Sequence, residues 1–277
     1  MVVRTVADLR RFTDAWRADG ETSALVPTMG ALHAGHLSLV DVARERAQRV
    51  VASIFVNPAQ FSPSEDLATY PRDEAGDLAK LHEYATDLVF MPPGDEMYPA
   101  NFSTSVEVGG LSEGLCGASR PHFFGGVATV VAKLLIQARC DHAVFGEKDY
   151  QQLLVVRRMA RDLDIPTEII GAPIIREEDG LAMSSRNQYL DAQQRQMAPH
   201  LYATLMSVAD CIRSGTGVTD ATDQGVQVLD HAGFDVDYLE LRDAATLEPL
   251  TALDDSPARL FAGAYLGKTR LIDNVAV

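Results

Sequence analysis

Between residues 23 and 170, short apolar runs alternate with longer stretches of helical spacing. Ser23 to Pro27 (SALVP) reads as a short buried strand. His36 to Gln48 then places Val40, Ala43 and Ala47 on one helical face. Val50 to Val56 (VVASIFV) is continuously apolar, the pattern of a strand covered on both faces. Asp73 to Tyr84 reads as a polar helix, Asp87 to Met91 as a third strand, and Phe123 to Ala138 as an apolar helix. Ala143 to Phe145 ends another strand, Tyr150 to Leu163 reads as a helix, and Thr167 to Ile170 as one more strand. Such alternation with short links predicts a parallel sheet with helices on both faces. Ligands of these sheets sit at the carboxyl ends of strands, near the point where strand order reverses.

The pattern changes near residue 174. Ala192 to Arg213 and Val218 to Ala232 read as helices, followed by strands at Val236 to Leu241 and Arg259 to Tyr265. The expected architecture is α/β: a Rossmann-like domain over residues 1–174, then a smaller α+β domain over 175–277 acting as a lid.

Composition narrows the function. A chain of 277 residues, 47% hydrophobic, is long enough for one large core or two smaller ones. Its formal net charge of −15 repels nucleic acid and anionic lipid, so neither is an expected partner. Any anion site must be a local island of His, Lys or Arg. Cys116, Cys140 and Cys211 are odd in number and widely spaced, which suits reduced thiols better than a disulfide framework or a zinc site. The N-terminus lacks a signal-peptide pattern, and no apolar stretch reaches the length of a membrane span. The expected location is the cytoplasm.

Four motifs carry the candidate chemistry. PTMGALHAGH, Pro27 to His36, lies between a strand and a helix. Gly35 between His33 and His36 allows close approach of a ligand, and the helix start offers free N–H groups to phosphate. Two unrelated surface histidines, or a zinc pair lacking a third ligand, are the alternative readings. GEKDYQQ, Gly146 to Gln152, again joins strand to helix; Lys148 offers a charge to phosphate, while Asp149 reads as a sugar-hydroxyl acceptor or a helix cap. DGLAMSSRN, Asp179 to Asn187, is a donor-rich loop in which Ser184, Ser185 and Arg186 could close over phosphates, or it is an ordinary loop. FVNPAQF puts the neutral amides of Asn57 and Gln60 just past a strand, groups that suit an oriented hydroxy acid.

HAGH after a strand with MSSR later resembles the HxGH nucleotidyltransferase superfamily. PTMGALHAGH, FVNPAQF, EDLATYPR, GVATVVAKLL, VFGEKDYQQL and DGLAMSSRNQYL together, with DYLELRD and TRLIDN in the tail, resemble more narrowly the pantothenate synthetase family. The resemblance implies that His33 and His36 contact ATP phosphates and that Met29 lies at the substrate site, contacting ATP as well. It implies that Gln60 and Gln152, with Asn57, hold pantoate. Lys148 would bind phosphate, and Gly146 and Asp149 the ribose. Ser184, Ser185 and Arg186 would grip the triphosphate, with Ile175 and Met183 also at the ATP site. Magnesium would be held through Asp77, although Gly76 stands where a further acidic residue is expected. RPHFFGGV, Arg120 to Val127, departs from the usual RPGHFxGV, with His122 one place early. A homodimer is implied by resemblance alone. The implied reaction is ATP-dependent condensation of (R)-pantoate with β-alanine through a pantoyl adenylate, releasing AMP and pyrophosphate. Adenylyl transfer to a phosphate-bearing acceptor, and nucleotide binding without turnover, are the competing functions.

Overall fold

The computed structural model describes residues 1–62 and 66–277, so Glu65 of the EDLATYPR block lies outside the described residues. In chain order the elements begin with β1 (Val2–Val3), α1 (Val6–Ala18), β2 (Ser23–Thr28), α2 (Ala34–Arg46) and β3 (Arg49–Ile54). There follow α3 (Glu74–Glu83), β4 (Leu88–Phe90) and two single turns, α4 (Gly94–Met97) and α5 (Cys116–Ser119). Then come α6 (Phe123–Ala138), β5 (His142–Gly146), α7 (Tyr150–Asp162) and β6 (Glu168–Ala172). The C-terminal part contains α8 (Ala192–Met197), α9 (His200–Arg213), α10 (Val218–His231), β7 (Phe234–Asp243), β8 (Ala258–Leu266) and β9 (Thr269–Ala276).

The chain folds as two compact units. The first comprises Met1–Ser112, Arg120–Glu147 and Gln152–Pro173. Its sheet has six strands in the order β1-β4-β3-β2-β5-β6, every pair parallel. Alternate residues serve opposite faces. Ala24, Val26, Val50, Ala52, Val89 and Val144 share one cluster with Leu37, Val40 and Ala43 of α2 and Leu81 of α3. Leu25, Val51, Leu88, Phe90 and Ala143 point the other way and are equally buried, on the side where α1 and α6 pack together and against β2. Burial on both faces explains the unbroken apolar strands. The expected parallel α/β layer is the fold observed.

The second unit comprises Glu113–Ser119, Lys148–Gln151 and Ile174–Val277. Its antiparallel sheet, β7-β8-β9, packs under α9 and α10 around Leu205, Leu229, Leu260 and Ala262. Sequence periodicity placed one cut after residue 174, but two short pieces from earlier in the chain belong here. Gln151 donates from Nε2 to the Gly114 carbonyl at 2.7 Å and accepts from the Cys116 N–H at 3.1 Å. Tyr150 donates to the Ala244 carbonyl at 3.0 Å, and Asn274 to that of Lys148 at 3.1 Å.

Three other differences have local causes. The helix expected over 192–213 is two helices, because Pro199 has no N–H to continue the ladder and stands at the start of α9. α1 is capped by Thr5, whose hydroxyl accepts the Asp8 N–H at 3.1 Å, yet it buries only Leu9 and Thr13 fully, too thin a stripe to stand out in sequence. β1 has only two residues, and β9 carries buried Asp273 and Asn274 in place of an apolar alternation. Cys116 and Cys140 are buried and Cys211 half-buried, all as free thiols.

α6 lies against the 3-10 turn Pro58–Gln60, and Gly126 permits that contact. A Cβ there would stand 2.3 Å from the Ala59 carbonyl oxygen and 2.7 Å from the Gln60 nitrogen, both backbone atoms. Gly126→Ala is therefore expected to cost about 1–3 kcal/mol, measurable as a lower urea midpoint. An unchanged midpoint would contradict the close approach.

Candidate active site

Strand order reverses at β2, which pairs with β3 on one side and β5 on the other. The carboxyl ends of β2 and β5 are thus the place where a parallel sheet takes a ligand. Met29 follows β2 directly, and Gly146 is the last residue of β5. From Gly30 (φ 84°) and Ala31 (φ 52°) the chain turns into α2, with His33 as its N-cap residue. The His33 carbonyl accepts the His36 N–H at 2.8 Å, and the two rings lie 4.1 Å apart between centroids. Two imidazoles therefore flank the positive end of a helix of 13 residues.

Gln60 stands in the 3-10 turn after β3, donating from Nε2 to the Met29 sulfur at 3.0 Å. Asn57 is 1% exposed and its side chain is fully engaged. Its Nδ2 donates to the Gly126 carbonyl at 3.1 Å and to Gln60 Oε1 at 3.2 Å. Its Oδ1 accepts from Tyr98 Oη at 2.7 Å and from the Ala59 N–H at 3.3 Å. Asn57 thus holds Gln60 in place, with both polar atoms of its side chain engaged within the protein. Burial pushes the Tyr98 hydroxyl up to about 12, so it remains a donor throughout the working range. Gln152, half-buried in the first turn of α7, also belongs to the first unit.

Lys148 and Asp149 lie in the 3-10 turn between β5 and α7, with Nζ 3.8 Å from the carboxylate. Ile175 and Met183 face each other across a hairpin, the Met183 N–H donating to the Ile175 carbonyl at 3.0 Å. Ser184 then caps the 3-10 turn Ser185–Tyr189, accepting the Arg186 N–H at 3.3 Å. The hairpin is braced from two sides. Arg176 makes a two-pronged pair with Asp273 at 2.6 and 2.9 Å and lies over the Tyr202 ring. Arg195 reaches Glu177 at 2.5 Å and Asp179 at 2.6 Å, holding the Asp179 carboxyl below the usual carboxylate range. Asn187 donates to Glu177 and to the Ala182 carbonyl, both at 3.1 Å.

The family model for pantoate–β-alanine ligase matches residues 1–276. The chain belongs to that family. It is 57% identical over 277 residues to the pantothenate synthetase of Rhodospirillum rubrum, covering 100% of this chain and 98% of the relative. The pantothenate synthetase of Caulobacter vibrioides is 56% identical over 280 residues, covering 100% and 98%. The crystal structure of the Thermus thermophilus enzyme superposes with a TM-score of 0.94 at 47% identity, over 99% of this chain and 98% of that one. The pantoate–β-alanine ligase of Francisella tularensis, solved with β,γ-ATP and β-alanine, gives 0.84 at 31% identity, over 100% and 97%. The chain carries the ligase activity of this family, forming pantothenate.

As a magnesium ligand of such a ligase, Asp77 fits poorly. It is 1% exposed, and its two oxygens accept the N–H groups of Ala31 and Leu32 at 2.8 and 2.7 Å. Asp73 caps α3 by accepting the Gly76 N–H at 2.9 Å, and position 76 is itself glycine, with no carboxylate to add. Among the described residues no group of three or more His, Cys, Asp or Glu is placed to hold a metal ion. The shifted His122 is exposed, precedes α6 and makes no capping bond.

Tyr98, Arg176 and Arg195 were not singled out from sequence, because the side chains they hold lie 16 or more residues away in the chain. Tyr98→Phe should remove about 1 kcal/mol of stability and raise the pantoate KM several-fold while leaving that of ATP unchanged. A wild-type pantoate KM would show that Gln60 is held without Tyr98.

Proposed function

We propose that this chain makes pantothenate in two steps. A pantoate carboxylate oxygen attacks the α-phosphorus of Mg–ATP, the bond to the β-phosphate oxygen breaks, and pyrophosphate leaves. The amine of β-alanine then attacks the acyl carbon of pantoyl adenylate, sheds a proton to solvent and expels AMP. Magnesium enters as part of the nucleotide substrate, since its usual ligands include substrate phosphates. The observation that carries the reading is the His33–His36 pair at the start of α2, beside the strand-order reversal. Donors fixed at a helix N-terminus stabilise charge moving onto a departing pyrophosphate.

Gln60 and Gln152 take the pantoate hydroxyls and carboxylate, with Met29 against them. Gly146 and Asp149 take the ribose, and Ile175 and Met183 further contacts to ATP. Lys148 and Arg186 neutralise phosphate charge, and Ser184 and Ser185 donate hydrogen bonds to the triphosphate. The loop around Met183 to Asn187 and the second unit are assigned the lid role, because the adenylate is open to hydrolysis. The relative solved with β,γ-ATP and β-alanine supports the nucleotide and the amine of this substrate set. Among the described residues no helix is long and apolar enough to cross a membrane. The working form is a cytoplasmic homodimer, whose mass light scattering would check.

Pyrophosphate release from Mg–ATP and pantoate, followed before and after adding β-alanine, tests the sequence of steps. Pyrophosphate should form with pantoate, and sustained AMP release should need the amine. Pyrophosphate release with a phosphomonoester instead would make the chain an adenylyltransferase. His36→Ala and Lys148→Ala should each slow adenylation about 10²–10³-fold with folding intact by circular dichroism. Near-normal turnover in either would remove that residue from its role.

A further inference from the structure

The loop that delivers His33 and His36 is held by a second helix. Gly30 and Ala31 adopt successive left-handed conformations, which turn the N–H groups of Ala31 and Leu32 toward one point. Asp77 of α3 occupies it, Oδ2 accepting from Ala31 at 2.8 Å and Oδ1 from Leu32 at 2.7 Å. One turn further along the same face, Lys80 Nζ donates to the Leu32 carbonyl at 2.7 Å. Both polar groups of the Leu32 backbone are thereby held by α3, while its side chain is buried in the core. A Cβ at Gly30 would lie 3.0 Å from Asp77 Oδ2 and 3.2 Å from Ile54 Cγ2. The carboxylate thus lies against the turn itself.

Leu32 is the last residue before His33, whose carbonyl accepts the first N–H groups of α2 from His36 and Leu37. A displacement of Leu32 moves the origin of α2 and both imidazoles with it. A buried carboxylate costs stability unless hydrogen bonds satisfy it, and a left-handed alanine is strained. Two unfavourable features are satisfied by each other at one point, immediately before the histidines.

We propose that Asp77 and Lys80 are positioning residues for the His33–His36 pair. They fix the Gly30–Leu32 turn so that the imidazoles meet the triphosphate, and Asp77 acts on the backbone and not on a metal ion. This rests on the reading that the two histidines contact ATP phosphates.

Asp77→Asn is nearly isosteric but sets an NH2 against a backbone N–H. It should cost about 10²-fold in the single-turnover rate of pyrophosphate formation, the scale of a small misplacement of reacting groups. Reaction of supplied pantoyl adenylate with β-alanine should stay within about threefold of wild type, which a general loss of structure would not allow. Lys80→Met should slow adenylation about tenfold and Lys80→Arg restore most of it. Amide exchange at Ala31 and Leu32 should accelerate in Asp77→Asn while the β2 amides stay protected. In a His36→Ala background the Asp77 change should add less than about threefold, since both act through one group.

Wild-type adenylation in Asp77→Asn, with His36→Ala slow, overturns the positioning role and leaves the phosphate reading standing. Wild-type adenylation in His36→Ala overturns both. Recovery of Asp77→Asn by raised magnesium also overturns the proposal, by making the carboxylate a metal ligand.

Discussion

Everything at the candidate site depends on β2 being hydrogen-bonded in parallel to two strands that leave in opposite directions in strand order. Both faces of the sheet are closed by helices, so a polar ligand has access only at the strand ends. Where β2 and β5 finish side by side, the crossovers diverge, and the loops after them carry PTMGALHAGH and GEKDYQQ. α2, running from the β2 loop, contacts β2, β3 and β5, so the helix that bears the histidines is anchored by the strands that define the reversal.

Placement of the reacting groups then falls to residues that need not meet substrate. Asn57 spends all its hydrogen-bonding capacity on Gln60, Gly126, Ala59 and Tyr98. Arg195 and Arg176 brace the hairpin before Ser184 through acidic partners. This division suits a reaction without a side-chain nucleophile, in which orientation and fixed donors lower the barrier. It also suits an acidic protein. With a net charge of −15, carboxylates are abundant, and several of those near the candidate groups are tied to arginine or to backbone N–H groups.

Much of this was legible in the chain itself. Strand-length apolar runs separated by helical spacings led to the parallel α/β layer, because burial on both faces leaves that mark on sequence. The motif blocks led to the family, because loops that bind one ligand set keep their residues contiguous. Local stops are legible too, although the break at Pro199 interrupts the helix that spacing alone predicts over 192–213.

Tertiary structure decided what the contiguous motifs could not contain. Gly126 must be glycine because a turn 66 residues earlier, at Gln60, lies against it. Asn57 sits inside a motif and looks like a ligand, yet packing surrounds it with partners. Asp77 looks like a metal-binding acid, yet α3 aims it at two backbone amides 45 and 46 residues away. Lys148 to Gln151 belong with the C-terminal unit through bonds to Ala244 and Asn274. The sequence by itself determined which elements form and which loops carry chemistry, since periodicity and motif spacing are local. Which polar side chains face a ligand and which hold the frame was decided only by folding, since a buried hydrogen bond is made between residues far apart in the chain.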